Sequence, residues 1–305
     1  MPEVSVVIPA YNRANTIGRA LDSVLSQSVR DIEVLVVDDG STDSTAATVA
    51  AVTDLRVAML RHDSNKGAAA ARNTGIRAAR APFIAFLDSD DAWLPGKLEA
   101  QMAALRAAPA GQDVSCHGVH IHLLDHGVER DQPLAVSTDW FARLVRDCNL
   151  SPGATQMARR EAFDRIGLLD ETLPRFEDWD WLLRYAAAGG AICALPPPLA
   201  VVWNRRGRLG AQYEMSARRF LAKHAALYAS LPRVTRRAAA CGIWLQVAGT
   251  FAFEGRRGAA IRTALVAARQ RPLHCVWRVA RHIVARMASR LGLGGAIAQP
   301  GSGGH

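Results

Sequence analysis

The stretch Phe83–Trp93, FIAFLDSDDAW, limits the fold more tightly than any other part of the chain. Its apolar run, Phe83-Ile84-Ala85-Phe86-Leu87, lacks polar alternation and so fits a strand buried on both faces, as in a parallel sheet. The run ends abruptly in Asp88, Asp90 and Asp91. In extended backbone Asp88 and Asp90 point to the same side. Two carboxylates converging where a buried strand surfaces repel one another unless a cation joins them, and hard oxygen ligands suit Mg2+ or Mn2+. In open α/β sheets, ligands bind beyond the carboxyl ends of the strands, where this cluster falls. The alternative is a solvated turn that caps the next helix, a common use of Asp-rich loops.

The residues before this stretch repeat its logic. Val4–Ile8 reads as a strand broken by Pro9, and Ala14–Gln27 places Ile17, Leu21, Val24 and Leu25 at helical spacing. Ile32–Val37 is a second strand that also ends in acids, Asp38-Asp39-Gly40-Ser41-Thr42-Asp43, with Ser41 or Thr42 as a cap for a helix through Val52. Arg56–Leu60 then reads as a short strand and Gly67–Arg80 as an alanine-rich helix. Strand alternating with helix is the pattern of an α/β fold with a parallel sheet, and neighbouring parallel strands deliver their ends to one crevice. No GxGxxG follows the first strand and no GxxxxGK[ST] occurs, so the usual dinucleotide and P-loop cradles are missing.

At 305 residues, half of them hydrophobic, the chain can bury a sizeable core. The five cysteines are widely spaced with no CxxC pair, which supports buried free thiols over a disulfide framework or zinc site. Met1-Pro2-Glu3 runs straight into a strand without the basic and apolar segments of a signal peptide, so cytosolic residence is expected. The net charge of +9 is unevenly spread: 19 Lys and Arg stand against 26 Asp and Glu through Asn204, but 18 against 2 beyond it. Such a composition boundary implies a change of function along the chain.

Four ordered pieces of Val4–Trp93 resemble the family 2 glycosyltransferases, with the nucleotide-binding half of a GT-A fold. They are Pro9-Ala10-Tyr11-Asn12, Val37–Asp43, Asn65-Lys66-Gly67 with Ala71-Arg72-Asn73, and Leu87-Asp88-Ser89-Asp90-Asp91. The resemblance implies a mixed, mainly parallel sheet flanked by helices. It implies that Pro9 and Tyr11 line the base pocket, that Asp39 reads the base (usually uracil), and that Arg72 lies close to the nucleotide. Asp88 would sit near the ribose, with Ser89 beside it on the nucleotide-sugar, and Asp90 would ligate Mn2+ or Mg2+ as the last acid of the DxD motif.

Further on, Pro95–Arg106 reads as a helix and Asp113–Leu124 as a strand on which His120 and His122 share a face. His117, His120, His122 and His126 are ligand-type residues, but no acidic partner for the His120–His122 face is obvious nearby in sequence, so an exposed or acceptor-facing strand is expected there rather than a metal site. Asp131–Pro152 reads as loop and short helix, Thr155–Ala158 as a strand and Arg160–Ile166 as a short helix. Glu177, Asp178 and Asp180 open the next helix, where its dipole favours acids. Phe176–Leu183 also resembles the family's ED motif, which implies that Asp178 is the catalytic base; Trp181 replaces the usual leucine on a face expected to be buried. Ala191–Trp203 reads as a strand interrupted by Pro196-Pro197-Pro198, hence an edge strand. Where many relatives carry Tyr-Arg-x-His, this chain has Trp203-Asn204-Arg205-Arg206, and the QxxRW motif of processive synthases is missing, which favours single transfers.

Beyond Arg205 helices are expected at roughly Ala211–Leu231, Arg236–Phe253, Gly258–Gln270 and Leu273–Leu291. The longest apolar run, Ala238–Phe253, is shorter than the ~20 residues of a spanning helix. Trp277, Val279, Ile283, Val284 and Met287 interleave with Arg278, Arg281, Arg286 and Arg290, a pattern suited to an anionic membrane surface or to a basic bundle packed on the catalytic part. No RNA-binding motif accompanies the arginines, so nucleic acid is not an expected partner. The organisation expected is a glycosyltransferase domain over 1–204, a basic helical extension over 205–293 and a Gly-rich tail over 294–305. The function expected is an inverting transfer from a nucleotide-diphospho-sugar, a UDP-sugar by preference, to a hydroxyl on a glycan or lipid-linked acceptor, at the inner face of the membrane. A sugar nucleotidyltransferase would need a basic glycine-rich loop after the first strand, which Pro9–Arg13 does not supply. A non-catalytic binding module would not need acids at each motif position.

Overall fold

A strand without a polar face must be covered on both sides, and the run at Phe83–Phe86 is placed accordingly, deep in a nine-stranded sheet. The computed structural model describes residues 1–123, 128–204 and 209–271. It begins with β1 (Val4–Ala10), α1 (Ile17–Leu25), β2 (Ile32–Asp38), α2 (Thr45–Ala50), β3 (Val57–Arg61), α3 (Ala68–Ala78) and β4 (Phe83–Phe86). Next come β5 (Ala92–Trp93), α4 (Lys97–Ala107), β6 (Val114–Leu123), β7 (Val128–Gln132), α5 (Trp140–Leu144), α6 (Pro152–Thr155) and β8 (Met157–Arg159). Then follow α7 (Arg160–Ile166), α8 (Glu177–Ala187), β9 (Ile192–Asn204) and α9 (Gly210–Lys223), and finally α10 (Ala225–Ser230), α11 (Arg233–Phe253) and α12 (Arg257–Gln270).

The sheet order is β3-β2-β1-β4-β8-β6-β9-β5, with β7 paired to β6. β1 pairs in parallel with both β2 and β4, and β2 with β3. β8 runs against β4 and against β6, which restores β6 and its parallel partner β9 to the direction of β1. The sheet is therefore mixed and mainly parallel, and β1, β2 and β4 release the chain at one end. Val4, Val6 and Ile8 of β1 enter one core with Ile17, Ala20, Leu21 and Val24 of α1. On the opposite face of β1, α3 presses against Val7 so closely that a Cβ on Gly75 would overlap the valine methyls.

Two details of the sheet depart from the sequence reading. β9 is not an edge strand: β6 pairs along one side, and β5 covers Ala200 and Val201 on the other. Its prolines are accommodated by a shift of register, since His117 faces Leu195 while Gly118 faces Pro198 and Val119 faces Ala200. Asp131 and Gln132, expected in a loop, instead close β7, which folds back on β6 in an antiparallel pairing that local propensity does not encode.

The chain divides into two compact units, Met1–Ala225 and Ala226–His305. α9 lies past the composition boundary at Asn204 yet belongs to the first unit, with its Lys223 bonded to Asp170 and Asp180. In the second unit α11 packs on α12, burying Ile243, Val247, Phe251 and Ala267. Among the described residues no helix is long and apolar enough to cross a membrane. His126, Arg205, Arg206, the expected helix at Leu273–Leu291 and the tail lie outside the described residues.

Gly75→Ala tests the seat of α3 on the sheet. Val7 is β-branched and sits in a central strand, so it cannot swing aside. The substitution is expected to lower the unfolding free energy by about 1–3 kcal/mol, the usual penalty of overpacking, as measured by chemical denaturation.

Candidate active site

The ends of β1 and β2 are laced together. Asn12, in the left-handed region at φ 53°, donates its N–H to Ser41 Oγ and accepts from the Thr42 N–H. Ser41 is thus a loop fastener and not a helix cap; α2 begins at Thr45, with Ser44 at the N-cap position. Pro9 lies within β1 opposite Val37, and Tyr11, just beyond the strand, is 41% exposed. Asp39 is buried and accepts three hydrogen bonds, from His62 Nδ1 at 2.7 Å, the Lys66 N–H at 2.9 Å and the Gly67 N–H at 2.8 Å. Gly67 is the N-cap residue of α3, so Asp39 fixes where that helix starts.

α3 then carries the next link. Arg72, only 5% exposed, donates to Asp88 Oδ1 at 2.6 Å and to Glu177 Oε1 at 2.7 Å. Asn73 clasps Leu169, donating to its carbonyl at 2.9 Å and accepting its N–H at 3.0 Å. Consecutive residues of α3 thereby hold the acidic loop after β4 and the segment leading into α8. Burial pulls the Arg72 pKa down, but Asp88, Glu177 and Asp178 together leave it raised.

The acidic loop is crowded with charge. Asp88 lies directly over Gly153, where a Cβ would overlap its carboxylate. Asp90 pairs with Arg13 at 3.3 Å, and its carbonyl accepts from Arg19 at 2.6 Å. Asp91 accepts the Trp203 N–H at 3.1 Å, and Ser89 is buried between the acids. Burial and the Asp88 charge raise the Asp90 pKa; burial, Asp88 and Asp90 lift that of Asp91 well above the carboxylate range. These hard oxygen donors, two of them destabilised as anions by each other, fit a divalent cation of the Mg2+ or Mn2+ type.

Across the site, Asp178 stands in the first turn of α8, with its Oδ1 taking the Trp179 N–H at 2.6 Å. Burial raises its pKa against the pull of Arg72. Burial and the neighbouring Asp178 charge push Glu177 up to about 7, with Arg72 opposing them. Phe176, immediately before, is held at φ 68°. Its ring is caged by Trp179, Tyr213 and Phe220 at centroid distances of 5.2, 5.4 and 6.1 Å. Trp181 is buried.

The structure thus joins Arg72, Asp88 and Glu177 directly, sets Asp178 within their field, and places Asp39 at the root of the helix that carries Arg72. Sequence reading missed Arg13, Arg19, Gly153 and Phe176. Arg13 directly follows the Pro-Ala-Tyr-Asn piece and Phe176 opens the ED piece, so their places in the sequence were signals; Arg19 and Gly153 are brought in only by tertiary packing. The acidic loop, Arg72 and the helix start at Asp178 can together bind an anionic ligand with its cation and accept a proton beside it.

Over residues 5–167 the chain matches the model of glycosyl transferase family 2. It is 45% identical over 125 residues to the succinoglycan biosynthesis protein ExoO of Rhizobium meliloti, a match that covers 41% of this chain and 35% of that protein. Over 183 residues it is 30% identical to the Escherichia coli UDP-Glc:alpha-D-GlcNAc-diphosphoundecaprenol beta-1,3-glucosyltransferase WfaP, covering 60% of this chain and 69% of WfaP. The chain therefore spans about a third of the length of ExoO and two thirds of WfaP. Its fold is similar to that of the mannosyltransferase PcManGT from Pyrobaculum calidifontis, solved with GDP-Man and Mn2+, at a TM-score of 0.58 and 20% identity over 94% of this chain and 80% of that one. With a family match across more than half its length and the acidic strand end inside it, the chain belongs to glycosyl transferase family 2.

Proposed function

We propose that the protein is an inverting, metal-dependent glycosyltransferase. Its donor is a nucleoside-diphosphate sugar, UDP-linked, and its acceptor a hydroxyl on a lipid-linked glycan in polysaccharide assembly. The observation that carries this reading is the Arg72 bridge, which ties Asp88 of the acidic loop to Glu177, the neighbour of Asp178. WfaP, named for a UDP-Glc donor and a diphosphoundecaprenol-linked acceptor, supports the choice of donor and acceptor class.

Each residue has a role in this scheme. Pro9 and the exposed Tyr11 ring line the base pocket. A carboxylate offers about four lone-pair sites, and Asp39 uses three of them, which leaves one for the imino N–H of uracil. Asp88 and Ser89 lie beside the ribose, with Asp88 oriented by Arg72. Asp90 holds the cation. When bound, a divalent ion there supplies Lewis-acid charge to the leaving diphosphate. Asp178 takes the proton from the acceptor hydroxyl as that oxygen bonds to the anomeric carbon. The bond from that carbon to the diphosphate oxygen breaks, the electron pair leaves with the diphosphate, and attack from the opposite face inverts the centre. The raised pKa of Asp178 makes it a stronger base than an ordinary carboxylate.

A lipid-linked acceptor requires access to a membrane surface. The second unit supplies a basic, partly apolar face in which α12 exposes Ile261 and Leu265 among Arg257, Arg262 and Arg269. We assign the protein to the inner, anionic surface of the membrane on that basis. Cosedimentation with anionic but not neutral vesicles is the expected outcome, and equal recovery with both would remove the assignment.

Donor binding and turnover separate the roles of the acids. A thermal-shift screen of UDP-, GDP- and dTDP-sugars with and without Mn2+ is expected to single out a UDP-sugar whose shift needs the ion. Asp90→Ala should lose that ion dependence, and Gly153→Ala, which displaces Asp88, should weaken donor binding. Asp178→Asn should keep donor binding yet lose about 10²- to 10⁴-fold in transfer rate, the range of general base catalysis. Because the base must be unprotonated, the acid limb of the wild-type rate profile should lie above the ordinary carboxylate range, and near-normal turnover of Asp178→Asn would take Asp178 out of the chemistry.

A further inference from the structure

The β6–β7 hairpin carries a cluster of ligand-type side chains outside the site described above. His120 and His122 lie on one face of β6, and the antiparallel register sets Asp131 opposite His120 and Glu129 opposite His122. The sequence reading found no acidic partner for these histidines because the partners arrive by strand pairing. His122 Nδ1 lies 2.8 Å from Glu129 Oε1, and His120 Nε2 lies 3.8 Å from Glu129 Oε2. On its other nitrogen, His120 Nδ1 is 2.5 Å from Asp131 Oδ1. The two imidazoles stand 4.8 Å apart, and the ligand atoms of His120, His122 and Glu129 all fall within 4.8 Å of one another.

We propose that His120, His122 and Glu129 form a site for a borderline first-row divalent ion of the Zn2+ class, with Asp131 orienting His120. An ionised Asp131 only accepts hydrogen bonds, so it takes the Nδ1–H of a neutral His120 and leaves the Nε2 lone pair 3.8 Å from Glu129 Oε2. A lone pair facing a carboxylate oxygen is repulsive unless a proton or a cation lies between them. The carboxylate behind an imidazole is the usual support of a metal-bound histidine, since it fixes the tautomer and raises the basicity of the other nitrogen. Tetrahedral zinc with bonds of about 2.0–2.2 Å separates its ligand atoms by about 3.3–3.5 Å. The two Glu129–histidine distances bracket that value, and side-chain rotation has to draw the remaining ligand atoms in from separations of up to 4.8 Å. On ion entry His122 moves its proton from Nδ1 to Nε2, which frees Nδ1 for the ion. Two imidazoles and one carboxylate favour Zn2+ over Mg2+, in contrast to the all-oxygen loop at Asp90.

The site is distinct from the donor loop but linked to it. The His122 ring packs on Trp203 at 5.4 Å, and Trp203 carries the Arg19 guanidinium at 3.6 Å. Arg19 in turn holds the Asp90 carbonyl, and the Trp203 N–H holds Asp91. An ion at the hairpin pins β7 to β6 and fixes the platform on which those two contacts stand.

Titration of chelator-stripped full-length protein with ZnCl2, followed by calorimetry, tests the assignment, with Co2+ absorption as a second readout of the ligand set. Wild type is expected to take up one tight equivalent in the presence of excess Mg2+. Glu129→Gln and His122→Ala should weaken that uptake by at least tenfold, and Asp131→Asn by about tenfold, the usual effect of losing a supporting carboxylate. Asp90→Ala should leave it in place. Glu129 is an exposed side chain, so Glu129→Gln should melt like wild type and its loss of Zn2+ reads the site and not the fold. No Zn2+ uptake by wild type, or uptake removed by Asp90→Ala and untouched by Glu129→Gln, would overturn the proposal. The outcome is independent of the transferase reading, which is decided by donor binding and turnover.

Discussion

The guanidinium of Arg72 is buried where water cannot solvate it, and a charge at that depth persists only with partners in good geometry. Its partners are Asp88, at the end of β4, and Glu177, at the start of α8. These residues are far apart in sequence, and each belongs to a different piece of the site. Removing the arginine would leave two carboxylates facing each other beside Asp178, Asp90 and Asp91. The pairing therefore decides whether the acidic strand end and the first turn of α8 make one site or two. Asn73 repeats the arrangement one residue later through its clasp on Leu169.

Strain around the site has the same logic. Among the described residues the three non-glycine residues with positive φ are Asn12, Ser151 and Phe176. Each borders a functional element: Asn12 the loop after β1, Ser151 the turn that brings Gly153 under Asp88, and Phe176 the start of α8. Such conformations cost about 1–3 kcal/mol each and persist only where the surroundings over-determine them. For Phe176 the surroundings are aromatic, with Tyr213 and Phe220 contributed by α9. α9 is itself anchored through Asp180, a buried carboxylate bonded to Arg184, Lys223 and His224. Despite the burial that raises it, the Asp180 pKa is held low by His224, Lys223 and Arg184. The basic part of the chain thus begins inside the unit that carries the site.

The sheet and the acidic loop were legible because both are written locally. Buried strands read as apolar runs, and the acids at Asp38–Asp39 and Asp88–Asp91 sit at their ends. Asp178 was legible as an acid in a first turn, and the motif resemblance gave it a role. What stayed hidden depended on long-range pairing. The hairpin partner β7 is made of Val128–Gln132, a charged stretch with no strand-like alternation of its own, and it is held by β6. The prolines of β9 pointed to an edge, but a register shift absorbs them inside the sheet. Arg13 reaches Asp90 only because the loops after β1 and β4 leave the sheet side by side.

Arg72 makes the acidic loop and the start of α8 one unit, and a double-mutant cycle measures that coupling directly. Unfolding free energies of wild type, Arg72→Met, Glu177→Gln and the double variant, determined under the same conditions, supply the four corners. If the pair is joined as described, the second substitution costs little after the first, and the coupling lies within the roughly 0.5–3 kcal/mol range of contacting residues, toward its upper end. Costs that add to within about 0.3–0.5 kcal/mol, as for distant independent sites, would contradict the account.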